Sequence, residues 1–248
     1  MNTVLITGCS SGFGLETARH FLERDWNVIA AMRTPRADVL PPSPRLRIVA
    51  LDVTSADSIA SAIGAAGPID VLVNNAGIGM LGALEGTTMT SAREVFETNT
   101  LGTIAMTQAV LPRFRQRRSG AIVNVSSSVT CEPLPLLSVY TASKAAVNAF
   151  TESLALELAP FGIHARLVLP GRAPQTRFGE NARARMEGAI PDAYADLAQR
   201  VFAGRSASAA VTLAQDVADA VWRAATDPAA PMRIAAGADA LALAGSQR

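Results

Sequence analysis

A tyrosine and a lysine four positions apart, Tyr140 and Lys144, are the pair in this sequence best suited to acid–base chemistry. Residues at i and i+4 share one face of a helix, and Val139–Leu158 is predicted to be helical, so the phenol and the ammonium would project into the same space. An unperturbed phenol has a pKa of about 10 and exchanges protons poorly near neutral pH. A neighbouring cation favours the phenolate and lowers that pKa. The spacing predicts proton transfer by Tyr140, although by itself it also occurs by chance on surface helices.

A glycine-rich turn near the start of the chain could hold a phosphate group. It follows a short apolar run, Thr3–Ile6, and opens an amphipathic stretch, Gly12–Arg24. Glycines allow a tight turn and close approach of the backbone to a pyrophosphate, and the helix N-terminus adds N–H donors and a positive dipole. The GxxxGxG spacing also occurs in ordinary loops, and its position between a strand and a helix is what favours phosphate binding. The candidate residues are Gly8, Ser10, Ser11, Gly12, Phe13 and Gly14.

Apolar runs and amphipathic stretches alternate along the chain and would position both features. This alternation predicts βαβ units and an α/β fold, a doubly wound, mostly parallel sheet of the Rossmann type with helices on both faces. No repeat or long linker divides the sequence, so we expect one domain over residues 1–248, with a substrate-loop region at 172–210. The predicted strands are Thr3–Ile6, Asn27–Met32, Arg45–Leu51, Ile69–Val73, Gly120–Val125, His164–Leu169 and Met232–Ala235. The predicted helices are Gly12–Arg24, Ala56–Ala66, Thr90–Phe114, Val139–Leu158 and Val211–Ala225, and Thr176–Ala209 is predicted to be polar and irregular.

The end of the second predicted strand is where such a sheet would distinguish the two nicotinamide dinucleotides. The chain reads Met32-Arg33-Thr34 there, and no Asp or Glu occurs from Trp26 to Ala37. A carboxylate would favour a free ribose 2′-hydroxyl, whereas Arg33 can pair with a 2′-phosphate. NADP(H) is therefore favoured over NAD(H), and the alternative is that Arg33 is simply a solvated residue.

Taken in order, these residues resemble the motifs of the short-chain dehydrogenase/reductase family, of its single-domain kind of about 250 residues. The resemblance runs from Thr3 to about Gly171. The matching positions are Thr7-Gly8, Gly12, Gly14, Asp52, Asn74-Asn75-Ala76-Gly77, Asn99, Ser127, Tyr140, Lys144 and Pro170-Gly171.

The resemblance implies catalytic roles for four side chains. Tyr140 would protonate the substrate oxygen in reduction, and Lys144 would lower the Tyr140 pKa and bind the nicotinamide ribose. Ser127, thirteen positions before Tyr140, would donate to the substrate oxygen. Asn99 resembles the family residue that interrupts the long fourth helix and holds a water linked to Lys144, and the alternative is a solvated helix asparagine. Ser126 and Ser128 compete with Ser127, but both are expected to point away because strand side chains alternate.

The resemblance also implies further cofactor contacts. Asp52 and Val53 would flank the adenine, and Asp52 could also form a turn after its strand, a role that is compatible with the first. The motif Asn74-Asn75-Ala76-Gly77 would stabilise the central sheet and line the adenosine side, with Asn74, Ala76 and Gly77 as the expected cofactor contacts. Pro170 and Gly171 would face the nicotinamide. Gln175 stands where the family has a threonine, and Thr176 follows one position later, so that contact is open.

Composition excludes several other classes of protein. The 22 basic and 21 acidic residues leave a net charge of +1, which indicates no nucleic acid or anionic membrane as a partner. Two cysteines and two histidines show no metal-ligand spacing. No leader or membrane-length apolar run is visible, so we expect a cytoplasmic protein. The resemblance adds a homodimer or homotetramer paired through the helices at Thr90–Phe114 and Val139–Leu158.

The function expected from these observations is hydride transfer between a nicotinamide and the carbonyl or alcohol carbon of a small substrate. Leu134, Leu136 and Leu137, between Ser127 and Tyr140, favour a hydrophobic substrate. A catalytically silent dinucleotide-binding sensor or scaffold is the alternative. An epimerase of the longer relatives would need an extra C-terminal substrate domain, and we expect none.

Two further groups of residues could belong to the substrate site, but both have a simpler interpretation. Cys131 is more simply a buried thiol than a pocket residue. The arginines at 172, 177, 183 and 185 favour a solvated lid over an acidic substrate.

Overall fold

One sheet of seven parallel strands organises the protein. The computed structural model describes residues 2–183, 185–186, 188–207 and 210–245. The strands are β1 Thr3–Thr7, β2 Asn27–Met32, β3 Leu46–Ala50, β4 Val71–Asn74, β5 Gly120–Val125, β6 Ile163–Pro170 and β7 Arg233–Ala236. The described helices are α1 Gly12–Leu22, α2 Ala56–Ala66, α3 Met89–Phe96, α4 Gly102–Arg117, α5 Ser138–Leu158, α6 Phe178–Arg183, α7 Ala195–Ala207, α8 Ala214–Thr226 and α9 Ala238–Gly245.

The order of the strands confirms the predicted doubly wound fold. It is β3-β2-β1-β4-β5-β6-β7, so the chain winds outward in one direction from β1 to β3 and in the other from β4 to β7. The reversal falls between β1 and β4, which are hydrogen-bonded neighbours. Open α/β sheets bind ligands at the carboxyl ends of the strands beside such a reversal.

Both faces of the sheet are buried, which explains the nearly continuous apolar runs in the sequence. In β1, Val4 and Ile6 enter one core cluster and Leu5 enters the other, and all three are fully buried. The first cluster lies against α1 and α8, and the second against α2, α4 and α5. Two layers of helices thus cover the sheet. Within the described residues, none of the helices is both long and apolar enough to cross a membrane.

The helix that periodicity predicts over Thr90–Phe114 is interrupted, as the family resemblance implies. Helix α3 ends at Phe96, a π-helical turn covers Glu97–Leu101, and α4 begins at Gly102. Each π-turn inserts one extra residue, and such turns are frequent at functional sites. The interruption is centred on Asn99.

The prediction of an irregular, polar segment over Thr176–Ala209 is wrong. The described part contains α6, a 3₁₀ turn at Asp192–Tyr194 and α7. Its apolar side chains, among them Met186, Ile190 and Leu197, pack against a cluster that includes Tyr140. The arginines and other polar residues interspersed along the segment obscure this spacing of apolar residues. Helix α9, in the alanine-rich residues after β7, is also absent from the predicted helices.

Candidate active site

The turn after β1 has the backbone geometry that its glycines predict. Gly8 and Gly12 have φ angles of +77° and +59°, in the left-handed region that favours glycine. A Cβ on Gly14 would overlap the carbonyl oxygen of Gly8 and the side-chain amide of Asn75. A Cβ on Gly12 would meet nothing closer than Thr176, at 3.5 Å. The glycines therefore give a compact turn whose outer side is open.

The N-terminus of α1 is the part of this turn that fits an anion. Ser11 is the N-cap residue, yet its side chain makes no capping hydrogen bond, and the first turn of the helix carries no acidic residue. By contrast, Ser55 and Thr88 cap α2 and α3 with their side-chain oxygens. Uncapped N–H groups at a helix start provide donors and positive dipole for a phosphate. Ser10 beside them is exposed, and Phe13 packs into the core cluster at α1.

Asn75 holds the turn in place from the end of β4. Its amide donates to the carbonyl oxygens of Thr7 and Gly8, at 2.9 and 3.3 Å. The Thr7 hydroxyl in return accepts from the backbone N–H groups of Asn75 and Ala76, at 3.0 and 2.9 Å. The family resemblance implies a sheet-stabilising role for the motif that contains Asn75, and these hydrogen bonds join the end of β4 to the turn after β1.

Asn74 directs its side chain into the interior. It is 4% exposed, and its amide donates to Asn124 Oδ1 at 2.9 Å and to Thr107 Oγ1 at 3.1 Å. Asn124 continues the chain of hydrogen bonds to Thr151 Oγ1 at 2.8 Å. This network joins β4, β5, α4 and α5, and it accounts for the sheet-stabilising part of the role expected for Asn74.

Tyr140 and Lys144 lie one turn apart on the buried face of α5, with exposed fractions of 7% and 5%. Lys144 Nζ donates to the carbonyl oxygen of Val125, at the end of β5, over 2.9 Å. A Cβ on Gly77 would lie 3.5 Å from Nζ, so the ammonium also reaches the loop after β4. Burial lowers the pKa of Lys144 from 10.5 to about 8. The side chain is therefore still mostly protonated at neutral pH.

Asn99 links the π-turn to the same place. Its amide donates to Ile78 O at 3.0 Å and to Ser143 Oγ at 3.1 Å, and its Oδ1 accepts from Ile78 N at 2.8 Å. The residue is 1% exposed, and a Cβ on Gly77 would lie 3.2 Å from Oδ1. Asn99, Lys144 and Gly77 are therefore neighbours, whereas a solvated helix asparagine would make no such contacts.

Three serines follow β5 and differ in their surroundings. Ser126 Oγ donates to the carbonyl oxygen of Lys144 at 3.3 Å, inside the protein. Ser127 is extended, and its Oγ accepts from Val129 N at 3.4 Å at the start of a 3₁₀ turn over Ser128–Thr130. Because β5 ends at Val125, strict strand alternation does not extend to Ser128, which instead begins this turn. Ser127 occupies the position between the strand and the turn.

The adenosine end of the candidate site contains Arg33 and Asp52. Arg33 is exposed and follows β2 directly. Asp52 Oδ1 accepts from the backbone N–H and the hydroxyl of Thr54, at 2.9 and 2.7 Å, which is the turn that the alternative interpretation described. These hydrogen bonds and the nearby Arg33 cation lower the pKa of Asp52. Val53 packs against Gly102, the first residue of α4, where a Cβ would come within 2.8 Å of Val53 Cγ2.

Pro170 ends β6, and Gly171 follows it, at the opposite side of the site. Thr176 lies nearer the phosphate turn, beside Gly12, and its hydroxyl donates to the carbonyl oxygen of Ala173 at 2.9 Å. Nothing places Gln175 or Thr176 against a nicotinamide, so that contact stays an open prediction.

The loop region 172–210 covers Tyr140 with apolar groups. The rings of Phe178 and Tyr140 lie 5.9 Å apart, and a Cβ on Gly79 would come within 2.7 Å of the Phe178 ring. Farther along, Ala83 N donates to Ala189 O at 2.9 Å. Leu136 and Leu137 join the same cluster, while Leu134 is exposed. The wall beside Tyr140 is therefore hydrophobic.

The described arginine side chains of the loop region lie near acids or bond to backbone. Arg177 lies 3.9 Å from Glu180, and Arg185 lies 3.8 Å from Glu94. Arg172 donates to the carbonyl oxygen of Ala210. The side chain of the residue at 183 lies outside the described part of the structure.

The two thiols differ in burial and surroundings. Cys9 is fully buried, which raises its pKa to about 12, and its thiol donates to Ile6 O at 3.2 Å. Cys131 is half-buried against Val147, Leu167 and Leu169. This packing agrees with the interpretation of Cys131 as a structural thiol.

The fold and these motifs place the chain in a known family. The sequence model of the short chain dehydrogenase family matches residues 2–187, so the chain belongs to that family. Retinol dehydrogenase 8 of Bos taurus is 42% identical over 183 residues, which cover 68% of this chain and 58% of the relative. A 3-ketodihydrosphingosine reductase of Bacteroides thetaiotaomicron is 41% identical over 172 residues, which cover 68% of this chain and 62% of the relative. The chain thus spans less than two thirds of the length of these curated relatives.

A solved structure extends the similarity across almost the whole chain. A short chain dehydrogenase from Burkholderia cenocepacia, in complex with NADP, superposes with a TM-score of 0.79 at 28% identity. The alignment covers 99% of this chain and 92% of that one. The similarity therefore includes residues beyond 187, where the family match ends.

Proposed function

We propose that this protein is an NADP(H)-dependent oxidoreductase that interconverts a carbonyl and an alcohol on a hydrophobic substrate. The observation that best supports this proposal is that Lys144, Asn99 and Gly77 are neighbours at the carboxyl edge of the sheet. The uncapped N-terminus of α1 lies at the same edge. A bound nicotinamide dinucleotide supplies or accepts the hydride. The open phosphate turn and the absence of a first-turn acid on α1 support the fit of such a group.

Side chains of the protein then transfer a proton to or from the substrate oxygen. In reduction, the Tyr140 hydroxyl donates its proton to the substrate oxygen, and in oxidation the phenolate takes it back. Lys144 stabilises the phenolate electrostatically, since it is mostly protonated at neutral pH although buried. Ser127 donates a hydrogen bond to the substrate oxygen. Asn99 is held by Ile78 and Ser143, so it fixes the loop at Gly77 against the ammonium of Lys144.

The preference for NADP(H) rests on Arg33. Within the described part of the chain, its guanidinium forms no hydrogen bond or ion pair. The side chain is exposed and directly follows β2. Arg36, three positions later, is instead paired with Asp38 at 2.8 Å. The available cation at the adenosine end supports pairing with a 2′-phosphate. The NADP complex of the Burkholderia cenocepacia dehydrogenase is consistent with this preference.

Replacing Arg33 by alanine is expected to raise KM for NADPH about tenfold and to leave KM for NADH within about twofold. The loss corresponds to one exposed charge-assisted hydrogen bond to phosphate, about 1.4 kcal/mol. Steady-state kinetics with both cofactors provide the measurement. Arg36→Ala is the matched control and should change neither KM. Equal weakening of both cofactors by Arg33→Ala would contradict the assignment.

The hydrophobic substrate is inferred from the wall beside Tyr140. Phe178, Leu136, Leu137 and the apolar side chains of the loop region form that wall. The two relatives are named for retinol and 3-ketodihydrosphingosine, molecules with long hydrocarbon parts, which favours the same class here. Each buried CH₂ adds about 0.8 kcal/mol to transition-state binding when the contact is complete.

A panel of carbonyl compounds tests the proposed function directly. NADPH consumption should be at least about tenfold faster, in kcat/KM, with decanal, 2-dodecanone or a decalone than with acetaldehyde or butanone. The sensor alternative makes a different prediction, because such a protein would bind NADPH without oxidising it. Binding without turnover across the whole panel would favour the sensor, and a preference for the smallest compounds would overturn the hydrophobic class.

The proposal includes a cytoplasmic homo-oligomer paired through α4 and α5. A mostly apolar groove at these helices is lined by Gln108, Leu111, Pro112, Arg115, Leu158 and Phe161, the last of which follows α5. Leu156 on α5 is 79% exposed. Light scattering on the purified protein measures the mass of the assembly.

A further inference from the structure

A carboxylate from the last described helix binds the turn that follows β6. Asp239, in the first turn of α9, accepts from the backbone N–H of Arg172 through Oδ2, at 2.5 Å. Its Oδ1 lies 2.7 Å from the hydroxyl of Thr212, which is 2% exposed. Thr212 Oγ1 in turn accepts from the backbone N–H of Gly171, at 2.9 Å. Two successive N–H groups of one turn are therefore held by two side chains distant in sequence.

The backbone is shaped to admit this contact. A Cβ on Gly171 would overlap the Asp239 carboxylate, and a Cβ on Gly237 would overlap the Thr212 hydroxyl. Gly237 also has a φ angle of +95°, which turns the chain from β7 into α9. Thr212 N donates to the carbonyl oxygen of Arg172 at 2.8 Å and closes the arrangement. Glycine is required on both sides of the pair.

The place of this turn in the sheet indicates what it serves. A dinucleotide whose pyrophosphate lies at α1 and whose adenosine reaches Arg33 at β2 must extend its other half across β4 and β5 toward β6. Lys144 and Asn99 lie along that path, and the Pro170–Arg172 turn lies at its end. Charge-assisted bonds to backbone N–H groups are stronger than neutral ones and fix the geometry of a turn.

We propose that Asp239, acting through Thr212 and the Arg172 backbone, is a positioning residue for the nicotinamide half of the cofactor, an inference that rests on the proposed function. Both side chains lie beyond residue 187, where the family match ends. The terminal segment therefore completes the cofactor site without touching the reacting atoms. Loss of the carboxylate frees the turn and weakens the nicotinamide half of the site selectively.

The test compares the whole cofactor with its adenosine half. Asp239→Ala should raise Kd for NADPH about tenfold and leave Kd for adenosine 2′,5′-bisphosphate within about twofold, both measured by titration calorimetry. Asp239→Asn should bind NADPH within about threefold of the wild type. The amide oxygen can accept from Arg172 N, and the amide nitrogen can donate to Thr212 Oγ1, whose hydroxyl then turns to Ala236 O, 2.9 Å away.

A matched control separates positioning from a general loss of stability. Asp70→Ala removes a carboxylate that accepts from Thr3 N at 2.8 Å at the start of β1, on the edge of the sheet opposite the turn. It should lower the midpoint of unfolding and leave both dissociation constants unchanged. If Asp239→Ala fails to fold, Thr212→Val replaces it, with Thr212→Ser as control, and the same selective loss is expected.

The outcomes distinguish this inference from the proposed function. Equal weakening of NADPH and of the adenosine fragment, or unchanged NADPH binding in Asp239→Ala and Thr212→Val, would overturn the positioning role while leaving the proposed function intact. A wild-type protein that binds neither molecule would overturn the proposed function, and the inference with it.

Discussion

Tyr140→Phe should lower kcat for carbonyl reduction by about 10³-fold and change Kd for NADPH by less than about threefold. The substitution removes one hydroxyl and keeps the ring, which is 7% exposed and packed beside Phe178. General acid catalysis contributes about 10²- to 10⁴-fold, so removal of the donor should cost a rate factor within that range. Single-turnover absorbance at 340 nm gives the rate of the chemical step, and fluorescence titration gives Kd.

The sequence provides its own control, because Tyr140 and Tyr194 are the only two tyrosines. Tyr194 lies in the 3₁₀ turn of the loop region and belongs to the same apolar cluster, and a hydrogen bond from its hydroxyl to Glu85 raises the Tyr194 pKa. Tyr194→Phe removes a neighbouring phenol hydroxyl without removing the proposed proton donor. Turnover in this variant should stay within about threefold of the wild type. Retained activity in Tyr140→Phe, or equal losses in both variants, would rule out Tyr140 as the acid.

Local sequence signals were sufficient for the sheet and for the turn after β1. The seven predicted strands were recognisable as short apolar runs because they are buried on both faces, and Gly8 and Gly12 needed only local backbone freedom. The pairing of Tyr140 with Lys144 on one helix face followed from their spacing alone. The structure confirms that α5 buries both side chains.

Features that depend on distant partners could not be predicted from periodicity. The π-turn at Asn99 depends on contacts with Ile78 and Ser143, which are 21 and 44 positions away. The helices of the loop region depend on burial against segments near Leu81 and Leu136, which their own arginine-rich sequence does not reveal. In the sequence, Asp239 has only the features of an acidic residue in the first turn of a helix. Its contact with the backbone N–H of Arg172 exists only in the folded protein. All three features are determined by tertiary contacts and not by local sequence, and all three lie at the candidate site.

Lys144→Met should abolish most turnover and yet make the protein more stable at pH 7, by about 1–2 kcal/mol. Burial lowers the pKa of Lys144 from 10.5 to about 8, so holding the charged form in the folded state costs about 3 kcal/mol at neutral pH. The hydrogen bond to Val125 O, worth about 1 kcal/mol, is lost in the variant and offsets part of that gain. Urea unfolding of both proteins gives the difference.

The sign of the effect with pH follows from the two pKa values. Between about pH 8 and 10.5 the unfolded chain binds more protons at this position than the folded one, so the stability of the wild type rises with pH. The advantage of Lys144→Met should therefore shrink steadily over that window. Arg166→Met is the contrasting control, because its buried guanidinium donates to the carbonyl oxygens of Ala224, Pro228 and Ala230 and its loss should destabilise the fold.

Lys144 is the only lysine in the sequence, all other basic side chains besides the histidines being arginines, and this makes the pKa directly measurable. The guanidinium of an arginine keeps its proton throughout the accessible pH range, so the signals of the arginines would not interfere with this titration. Protein grown with ¹³C-labelled lysine should give one side-chain signal, whose titration midpoint is expected near 8 and to return to about 10.5 in urea. A midpoint near 10.5 in the folded protein, or a Lys144→Met variant that unfolds at lower urea than the wild type, would mean that burial does not destabilise the ammonium of Lys144 and would contradict the predicted gain in stability.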